Sequence, residues 1–243
     1  MRDAIRAELL KARGSWWMLF GLAYAYLMPA MCYSYAPDSV IATDGADSAA
    51  ATRTLLAFLT AVPVASIFLA NWGIAKEYFY RSLPRTALTQ RRIDGYVAKC
   101  VSGAVQGLVV GVLGTTAWSV STWIILEQRH QSFDLGAATW QTLVLTVVAS
   151  VLAGPWGVTL GYLLPNYWTT TAAALIAPFA LELPLMLHAP SIGRFLPVST
   201  LAGVVQPPIP GLLPPLAAVA ASLLWIAASL LGGWHLFRRR DLT

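Results

Sequence analysis

Charged side chains are scarce in this sequence, at 11% of its 243 residues, whereas 57% of the residues are hydrophobic. Soluble domains carry about 25% charged residues, because polar groups must cover a folded surface in water. The scarcity of charge excludes an ordinary soluble protein. It predicts a chain that has lipid as much of its solvent.

Cysteine and histidine are few as well, with two and three residues. Cys32 and Cys100 lack the spacing of a metal or redox motif, and the histidines form no group in the sequence. We therefore predict no disulfide, metal site or catalytic residue. The Gly-x-x-x-x-Gly-Lys-Ser/Thr loop is also missing, so this chain is not expected to bind ATP phosphates in the Walker manner.

Six apolar segments are long enough to cross a bilayer, which takes about 20 mostly apolar residues. They cover residues 16–35, 55–75, 97–125, 140–163, 168–187 and 215–237. The fourth and fifth are separated by Pro165 and Asn166, which favour a turn. The sequence predicts an all-α integral membrane protein with six transmembrane helices, as one transmembrane domain over residues 1–243.

Basic residues lie in short stretches between the apolar segments, which is a pattern of topology signals and not of a nucleic-acid-binding face. All but three of the sixteen lysines and arginines fall in the N-terminal segment, the second connection and the C-terminal segment. The exceptions are Arg53, Arg129 and Arg194. The positive-inside rule predicts a multi-pass protein with both termini in the cytoplasm. No small-residue cleavage site closes the first apolar run, so that run is expected to remain as a span.

Residues 1–14 precede the first span and are expected to form an interfacial helix. On a helical wheel, Ile5, Leu9 and Ala12 share one face, whereas Glu8 and Lys11 point away from it. Such a helix lies along the inner interface of a membrane. The alternative is a frayed tail that only supplies topology charge.

The second connection, residues 76–96, combines aromatic residues, leucines and charges of both signs. Exposed aromatic and leucine side chains are costly in water unless they meet lipid headgroups or a partner protein. We interpret this region as a docking element. The alternative is a basic loop that rests on anionic lipid.

Residues 188–214 are apolar but contain six prolines, so they suit neither a free aqueous loop nor a span. Irregular backbone at membrane depth requires protein or a cavity to cover it. Nearby, Glu182 is an acidic residue well inside the fifth span, between Pro178 and Pro184. Intramembrane carboxylates suggest a function, although a hydrated carboxylate that faces an outer vestibule is the alternative. Gly103, Gly107 and Gly111, with Gly157 and Gly161, predict close helix packing.

Three features together resemble one family. Residues 7–17 resemble an elbow helix that runs into a first span, and residues 77–99 resemble a coupling helix that begins with Glu77 and aromatics and ends in Ala98-Lys99. A six-span plan with a proline-rich external segment completes the pattern. The chain is similar to the membrane subunits of ATP-binding-cassette transporters of the type-2 exporter class. It departs from them at Arg81-Ser82, where the family often has Gly-Thr.

The resemblance implies a permease subunit that is not an enzyme. Its partners would be an ATPase subunit that binds ATP and Mg, a second permease copy or a related permease, and lipid in a bacterial cell membrane. Residues implied at the ATPase contact are Glu77, Tyr80, Arg81, Ser82, Leu83, Arg85 and Thr86, with Arg91 and Arg92 at the ATPase or headgroups. Those of the interfacial helix are Ile5, Glu8, Leu9 and Lys11, and those of the pathway or gate are Glu182, Pro184 and His188. Residues 192–205 would form short re-entrant helices of the outer gate. The alternative is a loop that skims the outer headgroups.

The apolar lining predicts export of an amphiphilic cargo, such as a lipid, a drug or an antimicrobial peptide, and hence a role in antibiotic resistance or immunity. The alternative is an intramembrane enzyme or an ATP-independent transporter that uses Glu182. Such an enzyme needs a paired group of reactive side chains, and Glu182 has no acidic partner in any predicted span.

Overall fold

The computed structural model describes residues 1–13, 16–37, 41, 47–82, 91–164, 166–207 and 209–239. These residues form helices and turns, and no strand occurs among them. The α-helices in chain order are α1 Arg2–Arg13, α2 Trp17–Tyr35, α3 Ser48–Leu56, α4 Val62–Phe79, α5 Arg92–Gln128, α6 Ala137–Leu163, α7 Tyr167–Leu175, α8 Leu183–His188, α9 Pro190–Gly193, α10 Pro197–Val205 and α11 Pro215–Arg239.

Four helical units are long and apolar enough to cross a membrane: Ser48–Phe79, α5, α6 and α11. The first of these consists of α3, a 3-10 turn over Ala57–Ala61, and α4. The pair α7 and α8 passes the same test as one unit bent by 43°, which gives up to five spans. The chain is therefore an all-helical, multi-pass membrane protein. The predicted count of six is not confirmed, because α2 has 19 residues but is not among these units.

The second span is longer than the predicted segment 55–75, because it begins at Ser48 and ends at Phe79. Its start is fixed by Asp47, whose carboxylate accepts a hydrogen bond of 2.6 Å from the backbone N–H of Ala50. An aspartate at this position satisfies an N–H group that lacks a partner within the helix. Pro63 stands in the first turn of α4, where a missing N–H costs no helical hydrogen bond.

The centre of the bundle is the packing of α4, α5 and α6. Glycine allows α5 and α6 to approach until their backbones touch: a Cβ atom on Gly107 would overlap the carbonyl oxygen of Ser150, and one on Gly154 would overlap that of Gly103. Further along α6, a Cβ atom on Gly157 would overlap the carbonyl oxygen of Ile67 in α4. The predicted role of the glycine stripes in helix packing is confirmed.

Aromatic rings hold α5, α6 and α11 together near one end of the bundle. Tyr96 and Tyr162 have ring centroids 4.9 Å apart, and Tyr162 lies at the same distance from Phe237. The hydroxyl of Tyr96 donates a hydrogen bond of 2.8 Å to the carbonyl oxygen of Leu230. This bond satisfies the one polar atom that the ring carries into the core.

The predicted turn between the fourth and fifth segments is confirmed, since α6 ends at Leu163 and α7 begins at Tyr167. The side chain of Asn166 caps α7 by accepting hydrogen bonds from the N–H groups of Trp168 and Thr169. The fifth segment is not one straight helix. It breaks after α7 at a π turn over Pro178–Glu182, because Pro178 has no N–H to continue the α-helical pattern.

Candidate functional site

Four charged side chains meet at the end of the bundle where α1 packs, and we call them the ion cluster: Glu8, Lys11, Glu77 and Lys99. Lys99 Nζ lies 3.0 Å from Glu8 Oε2 and 2.7 Å from Glu77 Oε1. Lys11 Nζ lies 2.6 Å from Glu8 Oε1 and 3.4 Å from Glu77 Oε1. Each ammonium group therefore bridges both carboxylates in a closed ring of alternating charge.

Three of the four side chains in this ring are buried. Glu8, Glu77 and Lys99 are 7%, 6% and 4% exposed, whereas the side chain of Lys11 reaches the surface. An isolated charge in such a place would be strongly unfavourable, so each of these groups depends on its partners. Glu77 Oε2 is buried and receives no hydrogen bond from the described residues. Glu77 therefore relies on the contacts of its other oxygen with the two lysines.

Two members of the ion cluster, Glu8 and Lys11, remain ionised at neutral pH. Burial alone raises the pKa of the Glu8 carboxyl, but Lys99 and Lys11 outweigh burial and hold that pKa below its ordinary value of 4.5. Burial alone lowers the pKa of the Lys11 ammonium, but its hydrogen bond to Glu8 and the charge of Glu77 hold it above 10.5. Both directions favour the charged forms.

Three segments that are distant in sequence are joined by the ion cluster. Glu8 and Ala4 lie one turn apart and form the buried face of α1, which packs along α5. Glu77 stands at the end of α4, and Lys99 lies about two turns into α5. The segment 83–90 lies between these two helices in sequence and outside the described residues. The ion cluster thus fixes both flanks of this loop to α1.

The C-terminus of α4 directs the chain into the loop through a Schellman motif. The N–H of Arg81 donates to the carbonyl oxygen of Tyr78 at 3.2 Å, and the N–H of Ser82 donates to that of Glu77 at 2.9 Å. Arg81 has φ of +51°, a left-handed conformation that costs a residue other than glycine about 1–2 kcal/mol. Glycine is the usual residue at this position, and Arg81 presents an exposed guanidinium there instead.

A second buried carboxylate, Glu182, ends the π turn between α7 and α8. Glu182 is 9% exposed, and its Oε2 accepts hydrogen bonds of 2.8 Å from Val198 N and 3.1 Å from Ser199 N. These N–H groups belong to the first turn of α10 and have no acceptor within that helix. Glu182 therefore caps α10 from another helix and joins the bent fifth segment to the proline-rich segment.

An apolar cavity of about 190 Å³ lies beside Glu182. Its walls come from α2, the 3-10 turn, α4, the bent pair and α10, and they include Cys32, Phe58, Val64, Phe179, Met186 and Ala202. Among the described residues that line it, Glu182 is the one charged side chain. The cavity is therefore an apolar space with a single carboxylate at its wall.

The residues predicted at the ATPase contact, apart from Glu77, fall into three groups. Tyr80 is 73% exposed, and Arg81, Arg91 and Arg92 are exposed as well. Ser82 is half-buried beside them. Leu83, Arg85 and Thr86 lie outside the described residues.

Glu77 does not share this exposure, because its carboxylate is held inside the ion cluster. The wheel-based expectation for α1 also needs correction. Glu8 was expected to point away from the apolar face, but the structure buries Glu8 because Lys99 offers it a charge partner. Ile5 and Leu9 are half-buried, and Lys11 alone of the four predicted interfacial residues is exposed.

The predicted gate residues lie close together in sequence but differ in surroundings. Pro184 and His188 are both exposed, and His188 Nδ1 lies 2.9 Å from the carbonyl oxygen of Pro184. Neither lines the cavity beside Glu182. The segment 188–214 contains the two short helices α9 and α10. The predicted re-entrant region 192–205 begins in α9 and ends with α10.

Two features were missed from the sequence. Lys99 was noted only as the end of a motif, and its position seven residues into a helix after a cluster of arginines gave no indication of its burial. Asn71 and Thr170 form a second buried polar pair, in which Asn71 Nδ2 donates to Thr170 O at 3.1 Å and Thr170 Oγ1 donates to Asn71 Oδ1 at 2.8 Å. An amide inside an apolar segment was the available signal for this α4–α7 contact.

Comparison with known proteins does not assign the chain to a family. No protein-family model matches it, and no curated protein matches it significantly. A functional proposal therefore depends on the sequence pattern and on the two buried carboxylate sites.

Proposed function

We propose that this chain is the permease subunit of an ATP-binding-cassette exporter of the type-2 class. In this proposal α2 and the bent α7–α8 pair both act as spans, which gives six, and both termini face the cytoplasm of a bacterial cell. ATP and Mg would be bound by a separate ATPase subunit that contacts the loop between α4 and α5.

The observation that carries the proposal is the ion cluster. A loop that only connected two spans would not need a buried four-charge ring that fixes both of its flanks to a third helix. A loop that receives force from an ATPase does need such a support, because movement of the loop reaches the spans only if its flanks are rigid. Exposed Tyr80 and Arg81 stand where the loop leaves this support.

The connection between α7 and α11 supports the same proposal at the other membrane face. The broken fifth segment, the two short helices and the cap by Glu182 form a compact unit on an apolar cavity. Irregular backbone at membrane depth is tolerated where protein covers it in this way. In the proposed orientation this unit is the outer gate.

The proposed cargo class rests on the residues that line the cavity beside Glu182. The cavity lining is apolar apart from one carboxylate and a few hydroxyls, which favours an amphiphilic cargo such as a lipid, a drug or an antimicrobial peptide. Six spans do not enclose a wide path on their own, so we propose that two permeases pack around it.

Co-purification tests the proposal. An ATP-binding-cassette ATPase encoded beside this gene is expected to co-purify with the chain. Truncation of an exposed aromatic at an interface costs about 2 kcal/mol or more where the residue is a hot spot, so Tyr80→Ala is expected to reduce recovery of the ATPase severalfold. Tyr35→Ala is the matched control. Tyr35 is 82% exposed at the C-terminal end of α2, which faces away from the cytoplasm in the proposed orientation.

Failure of the ATPase to bind, or equal effects of the two tyrosine variants, would overturn the proposal. Cargo transport by the purified chain in the absence of any ATPase would instead support ATP-independent transport through Glu182.

A further inference from the structure

We propose that the cavity beside Glu182 binds the amine group and the adjoining apolar segment of an amphiphilic amine. The inference rests on the proposed function for the role of this ligand as cargo. The binding itself requires only the residues that line the cavity.

The size of the cavity limits what enters it. A cavity of about 150 Å³ in a protein core holds a benzene molecule, and pockets for whole drug-sized molecules measure about 300–1,000 Å³. The cavity beside Glu182 measures about 190 Å³. It therefore accommodates one ring or a short alkyl segment, which is one end of an amphiphile.

The carboxylate of Glu182 selects the polar group of that end. Its Oε2 accepts both backbone hydrogen bonds, from Val198 and Ser199, whereas Oε1 accepts none from the described residues. An ammonium group donates charge-assisted hydrogen bonds to a carboxylate, and these are about twice as strong as neutral ones. An anionic headgroup would face a like charge in an apolar space and is disfavoured.

The described part of the chain supplies no cation to this carboxylate. None of the described residues that line the cavity is a lysine, an arginine or a histidine. In the ion cluster, by contrast, each buried carboxylate contacts two lysines. Glu182 thus has the burial of a paired carboxylate without the partner cation, and an amine supplies that partner.

In this proposal the ligand reaches the cavity from lipid along α8. Leu183 lines the cavity and is 44% exposed, and Leu187 on the same helix is 62% exposed. An amphiphile in the bilayer therefore meets an apolar surface that leads to Glu182. This route suits a ligand that partitions into lipid first.

Photo-crosslinking tests the proposal on the full chain in nanodiscs of zwitterionic lipid. The probe is dodecylamine with a diazirine beside the amine, and dodecanol with the same diazirine is the control. We expect the amine to label the peptides that contain residues 178–186 and 198–202 about tenfold more than the alcohol does, as a charge-assisted hydrogen bond provides.

Two variants distinguish the effect of the Glu182 charge from the effect of the cavity volume. Glu182→Gln keeps an oxygen that accepts from Val198 and Ser199, so the cap persists, and amine labelling is expected to fall to the level of the alcohol. Ala202→Leu fills part of the cavity without a change of charge and is expected to reduce labelling by both probes. Elution of each variant as a single folded species in size-exclusion chromatography verifies its integrity.

Equal labelling by amine and alcohol, or unchanged labelling of Glu182→Gln, would overturn the proposal. The outcome is separable from that of the ATPase test. An ATPase that docks on a chain without amine labelling refutes only the ligand site, whereas amine labelling of a chain that binds no ATPase refutes only the proposed function.

Discussion

Glu77 and Glu182 are both less than a tenth exposed, yet the protein stabilises their carboxylates by different means. Glu77 lies 2.7 Å from the ammonium of Lys99 and shares that lysine with Glu8. Glu182 contacts no charged side chain among the residues that the structure describes, and it accepts hydrogen bonds from two backbone N–H groups of α10. The first site depends on opposite charges, and the second depends only on an acceptor oxygen.

The difference bears on which contacts can open. A buried ion pair that loses one partner leaves an unpaired charge, so the ion cluster is expected to stay closed. A capping hydrogen bond costs about 1 kcal/mol to lose, so the contact between Glu182 and α10 can open and close within a working cycle. We therefore propose that the inner site, which is the ion cluster, is the rigid part of the permease, and that the outer site, which is Glu182 with α10, is the part that moves.

The largest expected effect comes from removal of the central cation. Lys99→Met leaves Glu8 and Glu77 with Lys11 alone, and it is expected to lower the free energy of unfolding by about 3–5 kcal/mol, as for a broken buried ion pair. Reversible unfolding in mixed micelles measures this. Lys76→Met is the matched control, because Lys76 is half-buried on the same helical turn as Glu77 but forms no ion pair among the described residues.

A smaller effect would contradict this role of Lys99. The double variant Lys99→Met with Glu77→Gln adds a sharper criterion, since it removes one of the two stranded carboxylates. It is expected to recover part of the lost stability, because residues in one ion network are not additive.

The same substitution at Glu77 and at Glu182 tests directly whether the two carboxylates are stabilised by different means. Glu77→Gln removes a charge that Lys99 requires and is expected to cost about 1.5–3 kcal/mol, the value of a hydrogen bond to a charged group. Glu182→Gln retains an acceptor for Val198 and Ser199 and is expected to cost under about 1 kcal/mol. Unfolding of the two variants under identical conditions tests the difference. Equal costs would show that the two sites are stabilised alike.

Much of the helical pattern was predictable, because long apolar segments and turn residues are local signals. Asn166 marked the turn after α6, and the glycines of α5 marked its contact with α6. The extension of the second span to Ser48 was not predicted, since α3 is less apolar than a span and is held by a cap at Asp47. Pro178 and Pro184 were the available sequence signals for the break in the fifth segment.

Three of the four members of the ion cluster were selected from the sequence, but Lys99 and the geometry of the cluster were not predicted. Glu8, Lys11 and Glu77 were each selected from the sequence, but for two different surfaces. Pairing between residues 66 or 91 positions apart depends on how α1 packs against α4 and α5. A helical wheel carries no such information, because it treats every charge as one that faces water.

A smaller effect on the free energy of unfolding is expected at Arg81, where α4 ends and the loop between α4 and α5 begins. Arg81→Gly relieves a left-handed conformation and is expected to raise the free energy of unfolding by about 1 kcal/mol. If Arg81 contacts the ATPase as proposed, the same variant weakens ATPase recovery. Arg81→Asn is the control for charge, because asparagine tolerates this conformation but carries no cation. Destabilisation by Arg81→Gly would show that the guanidinium matters to the fold.

The smallest expected effect is that of pH on the docking of α1. The folded pKa of Glu8 lies below 4.5, so its stabilising contribution is complete above that value and is lost as the pH falls through the folded pKa. The folded pKa of Lys11 lies above 10.5, so its contribution is complete below that value and is lost as the pH rises through the folded pKa. The contributions of Glu8 and Lys11 to the docking of α1 should not change between about pH 5 and about pH 10.

Spin-label distances between Asp3→Cys and Val101→Cys, with Cys32 and Cys100 replaced by alanine, measure this docking. A constant distance across the range is expected, and its broadening in the Lys99→Met background at neutral pH serves as the positive control. A transition between about pH 6 and about pH 8 would contradict the lowered pKa of Glu8, because that direction requires the two lysines to outweigh burial. The inner site would then be a switch instead of a rigid support, and the contrast with Glu182 would be lost.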